Sequence, residues 1–481
     1  MTTTPIKYLG IALLAVAFTA CTVPSALTVH TNENKNTPPA FANTNQASTD
    51  TLSSAKIQWR EFFTDPYLAA LIDSALGNNQ ELNITLREIT IAQNEIRARK
   101  GEYLPFVGAG GEAGFEKPGK YTAIGALEDN LEVKDGQTFP DPLPNYMIGL
   151  NASWEVDIWK KLRNAKKAAI HRYLSSVEGK NFMVTNLIAE IATSYYELMA
   201  LDNQLDILRQ NIEIQTNALE IVRLQKLAAR VTELGVRRFE AEVLKNRSRV
   251  FYIQQRIVET ENRINFLVGR FPQPVQRNSQ SFVSLVPDSI HAGLPSQLLM
   301  NRPDIRQAEQ DLMASKIDVK VAKAQFYPSL RITGALGYQA FNPKFLIQPE
   351  SMMYTVAGEL IAPLVNRNAL KAFYYSANAR QIQSVYNYER TILNAYIEVA
   401  NQVSNISNLK SSFDLKQRQV NALVESITLA TGLFRSARAD YMEVLLTQRD
   451  ALEARFELIE TKMQQMNAMV NIYQALGGGW N

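Results

Sequence analysis

An internal repeat constrains the fold of this chain more than any other feature of its sequence. Residues 78–115 align without gaps with residues 301–338. In both copies large apolar residues recur every seven positions with small residues midway, a pattern typical of helices that pack closely along a seam. A proline ends each of these helices, Pro105 in the first copy and Pro328 in the second. The sequence therefore predicts two structural repeats, at 56–270 and 296–481.

Each repeat also contains two segments in which apolar and polar residues alternate. The clearest is 145–158, whose apolar positions are Tyr146, Ile148, Leu150, Ala152, Trp154, Val156 and Ile158. Since successive side chains of a strand point to opposite faces, this pattern predicts a strand with one apolar face. Similar patterns predict strands at 105–116, 328–339 and 352–365. A polar loop separates the two strands of each repeat.

Very long helices are predicted after the second strand of each repeat, at 160–268 and 366–476. No proline occurs from residue 160 to about residue 230, or from 366 to 440, and each run contains a single glycine. A helix of about 70 residues would be about 100 Å long, which is far beyond the length of ordinary globular helices. Each repeat is therefore predicted to contain a helix, two strands and a long helical hairpin, with coiled-coil or helical-repeat packing between the helices.

The N-terminus has the composition of an export signal. Lys7 precedes an apolar run at residues 9–20, which predicts a signal peptide at 1–20. The run ends at Cys21, the only cysteine of the chain, and this arrangement resembles a bacterial lipoprotein signal in which the cysteine is acylated. Phe18 departs from that pattern, which usually has leucine three positions before the cysteine. An ordinary signal peptide that happens to contain a cysteine is the alternative.

Two further segments have few large apolar residues or many prolines. Residues 21–55 are predicted to be a lipidated, flexible segment, because Asn, Thr, Ser, Ala and Pro from about residue 30 onward cannot build a core. Residues 271–295 contain four prolines and are predicted to link the two repeats.

The composition argues against an enzyme and against a nucleic-acid-binding protein. Charged residues make up 20% of the chain, the net charge is +3 and no polybasic block is present. The three histidines, His30, His171 and His291, share no metal-ligand spacing, and the glycine runs lack the Lys-Ser/Thr of a phosphate loop. No cofactor or resident metal is therefore expected.

Four strands of this length suit a membrane β-barrel but cannot close one. A transmembrane strand needs about 9–11 residues, with its apolar face toward lipid. An open sheet edge in lipid would leave backbone groups without hydrogen bonds, so the chain must oligomerise. Two copies would give eight strands and a filled interior, whereas three would give twelve and room for a conduit. The alternative is a soluble two-sheet sandwich with its apolar faces packed together.

Several motifs resemble the trimeric outer-membrane factors, the TolC-like channels of tripartite efflux pumps, and specifically their lipoprotein branch. The matching segments are WREFFTDPYLAALIDSALGNNQEL at 59–82, WEVDIWKKLR at 154–163, NRPDI at 301–305 and IYQALGGGW at 472–480. The resemblance implies a homotrimer with a shared 12-stranded barrel in the outer membrane of a Gram-negative bacterium, continued by a long periplasmic helical barrel. It also implies a passive, gated conduit for small molecules such as drugs, which are delivered by an inner-membrane transporter through a membrane-fusion adaptor.

The resemblance also implies a gate at the periplasmic tip of the helical hairpins. The acids that ring the constriction fall on Glu240 and Glu443, and Arg435 and Arg438 would bridge neighbouring helices and hold the tip closed. Two departures affect this region, since Ala437 and Arg438 stand where glycine is common. The alternative is that these side chains are ordinary solvated charges on helix faces.

Two rival functions remain at this point. A type I channel for protein secretion would have a similar architecture, and a lipid-anchored periplasmic coiled-coil scaffold would need no pore. Aromatic residues near the strand ends, which are Phe115, Tyr146, Trp154, Trp159 and Tyr338, would form girdles at the membrane interface in a channel. In a soluble protein they would pack in a core.

Overall fold

The computed structural model describes residues 23–26, 30–41, 52–134, 136–285, 291–436 and 438–480. The predicted signal peptide and Cys21 lie outside these residues. The chain divides into two units, which are described separately. The first comprises residues 1–32, 90–173 and 310–385, and the second comprises 33–89, 174–309 and 386–481. The longest helices run from one unit's residues into the other's.

The helices are bounded as follows: α1 Trp59–Phe62, α2 Pro66–Asn78, α3 Gln80–Glu102, α4 Ala123–Asn130, α5 Lys161–Leu227, α6 Glu233–Val268, α7 Leu298–Asn301, α8 Pro303–Ala324, α9 Asn368–Arg435 and α10 Tyr441–Ala475. The strands are β1 Phe106–Glu116, β2 Glu132–Lys134, β3 Gln137–Thr138, β4 Leu143–Val156, β5 Ser329–Ala340 and β6 Met352–Ile361. None of the described helices combines the length and the hydropathy needed to cross a membrane.

An antiparallel sheet with the order β1-β4-β5-β6 dominates the first unit. Each repeat contributes one hairpin, and the two hairpins meet where β4 pairs with β5. Within the described residues, β1 and β6 are each paired on one side only, so the sheet has two open edges.

The strand register collects apolar side chains on one face of this sheet. Leu150 is paired with Ala109 and with Leu336, and Leu336 is paired in turn with Tyr354. These side chains are largely solvent-exposed in the single chain, 51% for Leu150 and 74% for Tyr354. Neighbouring positions carry the polar face, on which Asn151 lies beside Gly108. The other described sheet is the short β2–β3 pair, so the soluble sandwich does not form.

The strand ends differ slightly from the sequence prediction because local turns intervene. The strand predicted at 145–158 occupies 143–156. The Asp157 carboxylate, which follows it, accepts hydrogen bonds from the backbone N–H groups of Leu162 and Arg163 at 3.0 and 2.9 Å, so the chain already turns toward α5. The strand predicted at 352–365 ends at Ile361, just before Pro363, which cannot donate to the ladder.

The second unit is built from helices around one main core. Tyr195, Ile191 and Leu198 on α5 pack with Leu68 and Ile72 on α2, and all five side chains are almost completely buried. Val470 and Tyr473 of α10 join the same cluster. Residues from both repeats therefore share this core.

The segment that the composition predicts to be flexible is partly packed in the structure. Within 33–41, the Lys35 ammonium lies 2.6 Å from the Glu309 carboxylate, and Phe41 is 4% exposed because its ring stacks on Tyr396 at 5.4 Å. Contacts of one lysine and one phenylalanine thus fix residues 33–41 against the helices, although the segment is polar on average.

The predicted inter-repeat linker also packs against the helical core. Phe282 is fully buried, and the Arg277 guanidinium pairs with Asp202 at 2.6 Å and with Glu261 at 2.5 Å. Proline ends regular helices here, but the apolar and charged residues between the prolines still find partners in the fold. Residues 286–290 lie outside the description.

Candidate functional site

In each helical hairpin a tight turn reverses the direction of the chain. These two turns form the tip, where the sequence analysis predicts the candidate site. The first joins α5 to α6, where Thr232 caps α6 by accepting from the Gly235 N–H at 3.4 Å. The second joins α9 to α10, and there the Arg438 N–H donates to the Leu433 carbonyl at 2.9 Å. Ala437, within this second turn, lies outside the described residues.

A hydrophobic cluster at this end joins the two hairpins. Phe239 of α6 is 1% exposed, and its ring centre lies 6.4 Å from that of Tyr441 on α10. The other buried members are Leu219, Val222, Val236, Val243 and Leu445. The first turn of α10, which carries Glu443, is therefore anchored against the first hairpin.

Glu240 is surrounded by cations of its own hairpin. Its carboxylate lies 2.9 Å from Arg237 on the same helix and 3.7 Å from Arg223 on α5. Arg237 also pairs with Glu233 at 2.8 Å. The pKa of Arg237 is raised, mainly by its hydrogen bond to Glu240 and secondly by its hydrogen bond to Glu233. The pKa of Glu233 is lowered, mainly by its hydrogen bond to Lys226, and Arg237 lowers it further. The negative charge of Glu240 is thus offset within the chain.

The other three predicted site residues have no such partners. Glu443, Arg435 and Arg438 are exposed, and no salt bridge involving them is found among the described residues. Within the described residues neither Arg435 nor Arg438 forms an ion pair with another helix, and their helix-bridging role stays a prediction. Sequence reasoning missed Arg223 and Arg237, although the three-residue spacing of Arg237 and Glu240 on one helix was a usable signal.

The NRPDI motif forms a second charged cluster, away from the tip. Arg302 is 5% exposed, and its guanidinium contacts both carboxylate oxygens of Asp304 at 3.0 and 2.7 Å. It also contacts Glu398 at 2.7 Å and donates to the Ala475 carbonyl at 2.8 Å. Burial alone would lower the pKa of Arg302, but the two carboxylates outweigh it and the pKa is raised. A cavity of about 200 Å³ adjoins this cluster.

In the first repeat, the corresponding contact to the end of the hairpin is made by a neutral side chain. Asn79 stands at the position of Arg302, and its side-chain amide donates to the Leu267 carbonyl at 2.8 Å while its oxygen caps α3 at Leu82. The final turns of the two hairpins are also alike. Gly269 and Gly477 have positive φ angles of 78° and 90°. Both repeats therefore close in the same way, and only the second uses an ion cluster.

Metal-binding groups are not evident in the part of the chain that the structure describes. No set of three or more His, Cys, Asp and Glu side chains there is placed to hold a metal ion. His171 lies with Nδ1 2.8 Å from the Gln310 side-chain oxygen, as a structural histidine would.

A chain with a predicted export signal, an open, apolar-faced sheet and long helical hairpins has the features of an outer-membrane channel that is completed by assembly. The model of the family described as outer membrane efflux protein matches residues 71–270 and 294–478, which include both repeats. The chain belongs to this family.

Individual relatives and solved structures agree with this family. The chain is 28% identical over 425 residues to the cation efflux system protein CusC of Escherichia coli O6:H1, covering 88% of each chain. It is 27% identical over 445 residues to the solvent efflux pump outer membrane protein SrpC of Pseudomonas putida, covering 92% of each. A crystal structure of CusC is similar with a TM-score of 0.79 and 25% identity, over 95% of this chain and 99% of the other.

The protein is therefore an outer-membrane efflux channel and not an enzyme. It is mainly α-helical, with a membrane β-barrel to which each chain of a trimer contributes four strands, and this confirms the predicted fold class. The two open edges of the sheet are where the strands of neighbouring chains pair in that assembly.

Proposed function

We propose that three copies of this chain form the outer-membrane conduit of a pump whose inner-membrane transporter delivers small molecules through a periplasmic membrane-fusion adaptor. The family match across both helical hairpins carries this proposal, because the hairpin tips are the surfaces that an adaptor would meet. The transporter supplies the energy, and this chain is a passive, gated path.

The names of the relatives favour small molecules over proteins as cargo. They refer to cations for CusC, to solvents for SrpC and to pyoverdine for OpmQ of Pseudomonas aeruginosa. The variety of these cargoes supports a conduit whose selection lies mainly in the transporter. It gives no support to the rival interpretation as a protein-secretion channel.

The whole proposal can be tested in a strain that lacks its own channel of this kind. Expression of this chain with a cognate adaptor and transporter should lower the accumulation of a fluorescent dye. Leu150→Arg should abolish that effect, since a charge near mid-membrane on the lipid-facing side costs about 2–4 kcal/mol per chain. Asn151→Arg, on the opposite face of the same strand, is the matched control and should assemble as trimers. Equal assembly of both variants would contradict the assignment of the two faces.

Lipid anchoring through Cys21 is the second part of the proposal. One relative, SilC of Salmonella typhimurium, is named a probable outer membrane lipoprotein. Cys21 is the only thiol, so Cys21→Ser should abolish labelling by a clickable fatty acid. The trimer should still form, because barrel closure removes the strand edges whether or not an anchor is present. Labelling that persists in the variant would exclude this anchor.

The gate at the tip is the third part. Three copies of Glu443 would ring one axis near Glu240, and Arg435 and Arg438 would pair with neighbouring chains. Because Glu240 is already offset by Arg223 and Arg237, Glu443 should contribute most of the cation preference. In a planar bilayer with a salt gradient, Glu443→Ala should move the reversal potential toward zero, and Arg435→Ala with Arg438→Ala should raise conductance. If neither variant changes the current, the constriction lies elsewhere.

A further inference from the structure

Two loops lie at the end of the four-stranded sheet opposite to the long helices. The first loop, residues 117–142, connects β1 to β4 and contains α4, and the second loop, residues 341–351, connects β5 to β6. Because β1 and β6 are the edge strands, each loop adjoins one open edge of the sheet. These edges pair with neighbouring chains in the trimer, so the first loop of one chain lies next to the second loop of another.

Within one chain, phenylalanine side chains join the two loops. The ring centres of Phe139 and Phe341 are 6.3 Å apart, and those of Phe341 and Phe345 are also 6.3 Å apart. Phe139 belongs to the part of the first loop that leads into β4, the strand beside β5. Helix α4 belongs to the other part, which follows β1. The chain order therefore places α4 in the half of the loop that adjoins the open edge.

Contacts within its own loop hold α4 in place. The Thr122 hydroxyl caps the helix by accepting from the Gly125 N–H at 3.2 Å, and Lys120 pairs with Asp129 at 2.9 Å. A Cβ added to Gly125 would lie 2.3 Å from the Gly119 carbonyl oxygen, so the helix packs closely on the turn before it. A helix that is already positioned loses little conformational entropy when a partner binds to it.

A row of apolar side chains on α4 and its two ends is uncovered in the single chain. This α4 row consists of Tyr121, Ile124, Leu127 and Leu131, whose spacing of three or four residues places them along one side of a helix. Tyr121 is fully exposed, and the other three are exposed by 59%, 58% and 52%. At the opposite edge of the sheet, Ile347 in the second loop is 81% exposed. Uncovered apolar patches of this kind mark interaction surfaces.

Charge and symmetry favour a second copy of this chain over lipid as the partner of the α4 row. A helix that lies on a membrane surface is typically rich in lysine and arginine on its polar side, whereas α4 carries Glu128 and Asp129 and no basic residue. In a ring of identical chains, each interface joins two different edges of the molecule. An apolar patch at the β1 edge therefore needs an apolar partner at the β6 edge, and Ile347 provides one.

We propose that the α4 row of each chain binds the second loop of the neighbouring chain at Ile347, so that three such contacts link the loops around the mouth of the barrel. Each contact lies beyond the ends of the two edge strands that meet between chains. It therefore helps to fix the register in which β1 of one chain pairs with β6 of the next. The proposal rests on the trimer and is independent of the cargo, the adaptor and the transporter.

Cross-linking in outer-membrane fractions is the first test. The double variant Leu127→Cys with Ile347→Cys, treated with a short bifunctional maleimide, should form covalent trimers, because each chain then reacts with both of its neighbours. The matched control is Ala126→Cys with Ile347→Cys, since Ala126 is exposed on α4 but lies outside the row, and it should lose most of this product. Each single variant controls for reaction at Cys21.

Several results would overturn the proposal. A product confined to single chains would mean that α4 meets the second loop of its own chain, and equal yields from the two pairs would mean that the row is not the contact surface. If no product forms, labelling of Leu127→Cys on intact cells with a membrane-impermeant maleimide identifies the reason. Rapid labelling would show that the row is open to water, and protection would assign it to lipid of the outer leaflet.

A charge in the row provides the second test. Leu127→Asp should lower the temperature at which the trimer dissociates in detergent, because the contact would then bury a carboxylate without a partner. Ala126→Asp adds the same charge at the adjacent position and should leave that temperature unchanged. Both side chains are exposed in the single chain, so neither substitution removes a contact from the core of the protomer. Equal dissociation temperatures for the two variants would contradict the proposed contact.

Discussion

The closing contacts of the two repeats perform the same task with different chemistry. In the first repeat Asn79, a neutral amide, binds the final turn of α6 through the Leu267 carbonyl. In the second, Arg302 binds the final turn of α10 through the Ala475 carbonyl and collects Asp304 and Glu398 around it. In both repeats one side-chain donor reaches a carbonyl of the final turn, so the backbone there requires no charge. The charge of Arg302 is an addition, and it makes the second repeat depend on all members of the cluster.

Removal of the arginine should have the largest effect. Arg302→Met leaves the Asp304 carboxylate, whose side chain is 17% exposed, without its cation. Loss of one partner from a buried ion pair costs about 3–5 kcal/mol. Thermal unfolding of the detergent-solubilised trimer measures this, with Arg209→Met as control, because Arg209 and its carboxylate partner Asp206 are both exposed. An effect no larger than that of the control would mean that the cluster is not needed for stability.

The glycines that follow the two helices come next, and here the repeats should behave alike. A Cβ added to Gly269 would lie 2.5 Å from the Asn78 carbonyl oxygen, and one added to Gly477 would lie 2.6 Å from that of Asn301. With the positive φ angles of both residues, each alanine substitution should cost about 1–3 kcal/mol. A clear difference between the two variants in the same unfolding assay would show that the charged cluster changes how this turn tolerates strain.

Asn79→Ala should have a smaller effect than Arg302→Met. It removes the donor to the Leu267 carbonyl and the cap of α3, which together correspond to about 1–2 kcal/mol. The substitution Asn79→Ser keeps a capping oxygen for α3 but loses the amide donor without adding a charge, so it separates the two contributions. If Asn79→Ala destabilises the trimer as strongly as Arg302→Met, the comparison between a neutral and a charged closure fails.

The smallest effect should come from a second buried cation of the second repeat. Lys462 on α10 is 4% exposed, and burial lowers its pKa. When α6 and α10 are aligned by their terminal glycines, the matching residue of the first repeat is Gln254, which is exposed. The unfolded chain binds more protons than the folded one between the lowered pKa and the ordinary value of 10.5, so stability should rise with pH in this window. Lys462→Gln should flatten that rise in urea titrations at several pH values, whereas Lys410→Gln, at an exposed lysine, should not.

The regular elements could be predicted from the sequence because their signals are local. Alternation of apolar and polar residues defines β4, and proline-free runs define α5 and α9. The structure places their ends within a few residues of the predicted bounds. The reversal points of the hairpins were also visible, since the proline-free runs end at about residues 230 and 440, and α6 and α10 begin at Glu233 and Tyr441.

The contacts that close the repeats could not be predicted, because they join residues far apart in the chain. Glu398 is 96 residues from Arg302, and Ala475 is 173 residues from it. Likewise, nothing in the sequence around Glu240 shows that Arg223, on the preceding helix, lies 3.7 Å away. Single residues also override average composition, as Lys35 and Phe41 do in a segment that is otherwise polar.

The open edges of the sheet make the folding of this protein depend on its own concentration. Within the described residues, β1 and β6 each have one side without a strand partner. A protomer that has formed its helices is still unfinished, and its last hydrogen bonds must come from other molecules. At low expression such protomers should wait before they meet, and at high expression their edges should also invite incorrect pairings. Correct assembly of this channel should therefore depend on the level at which the cell expresses it.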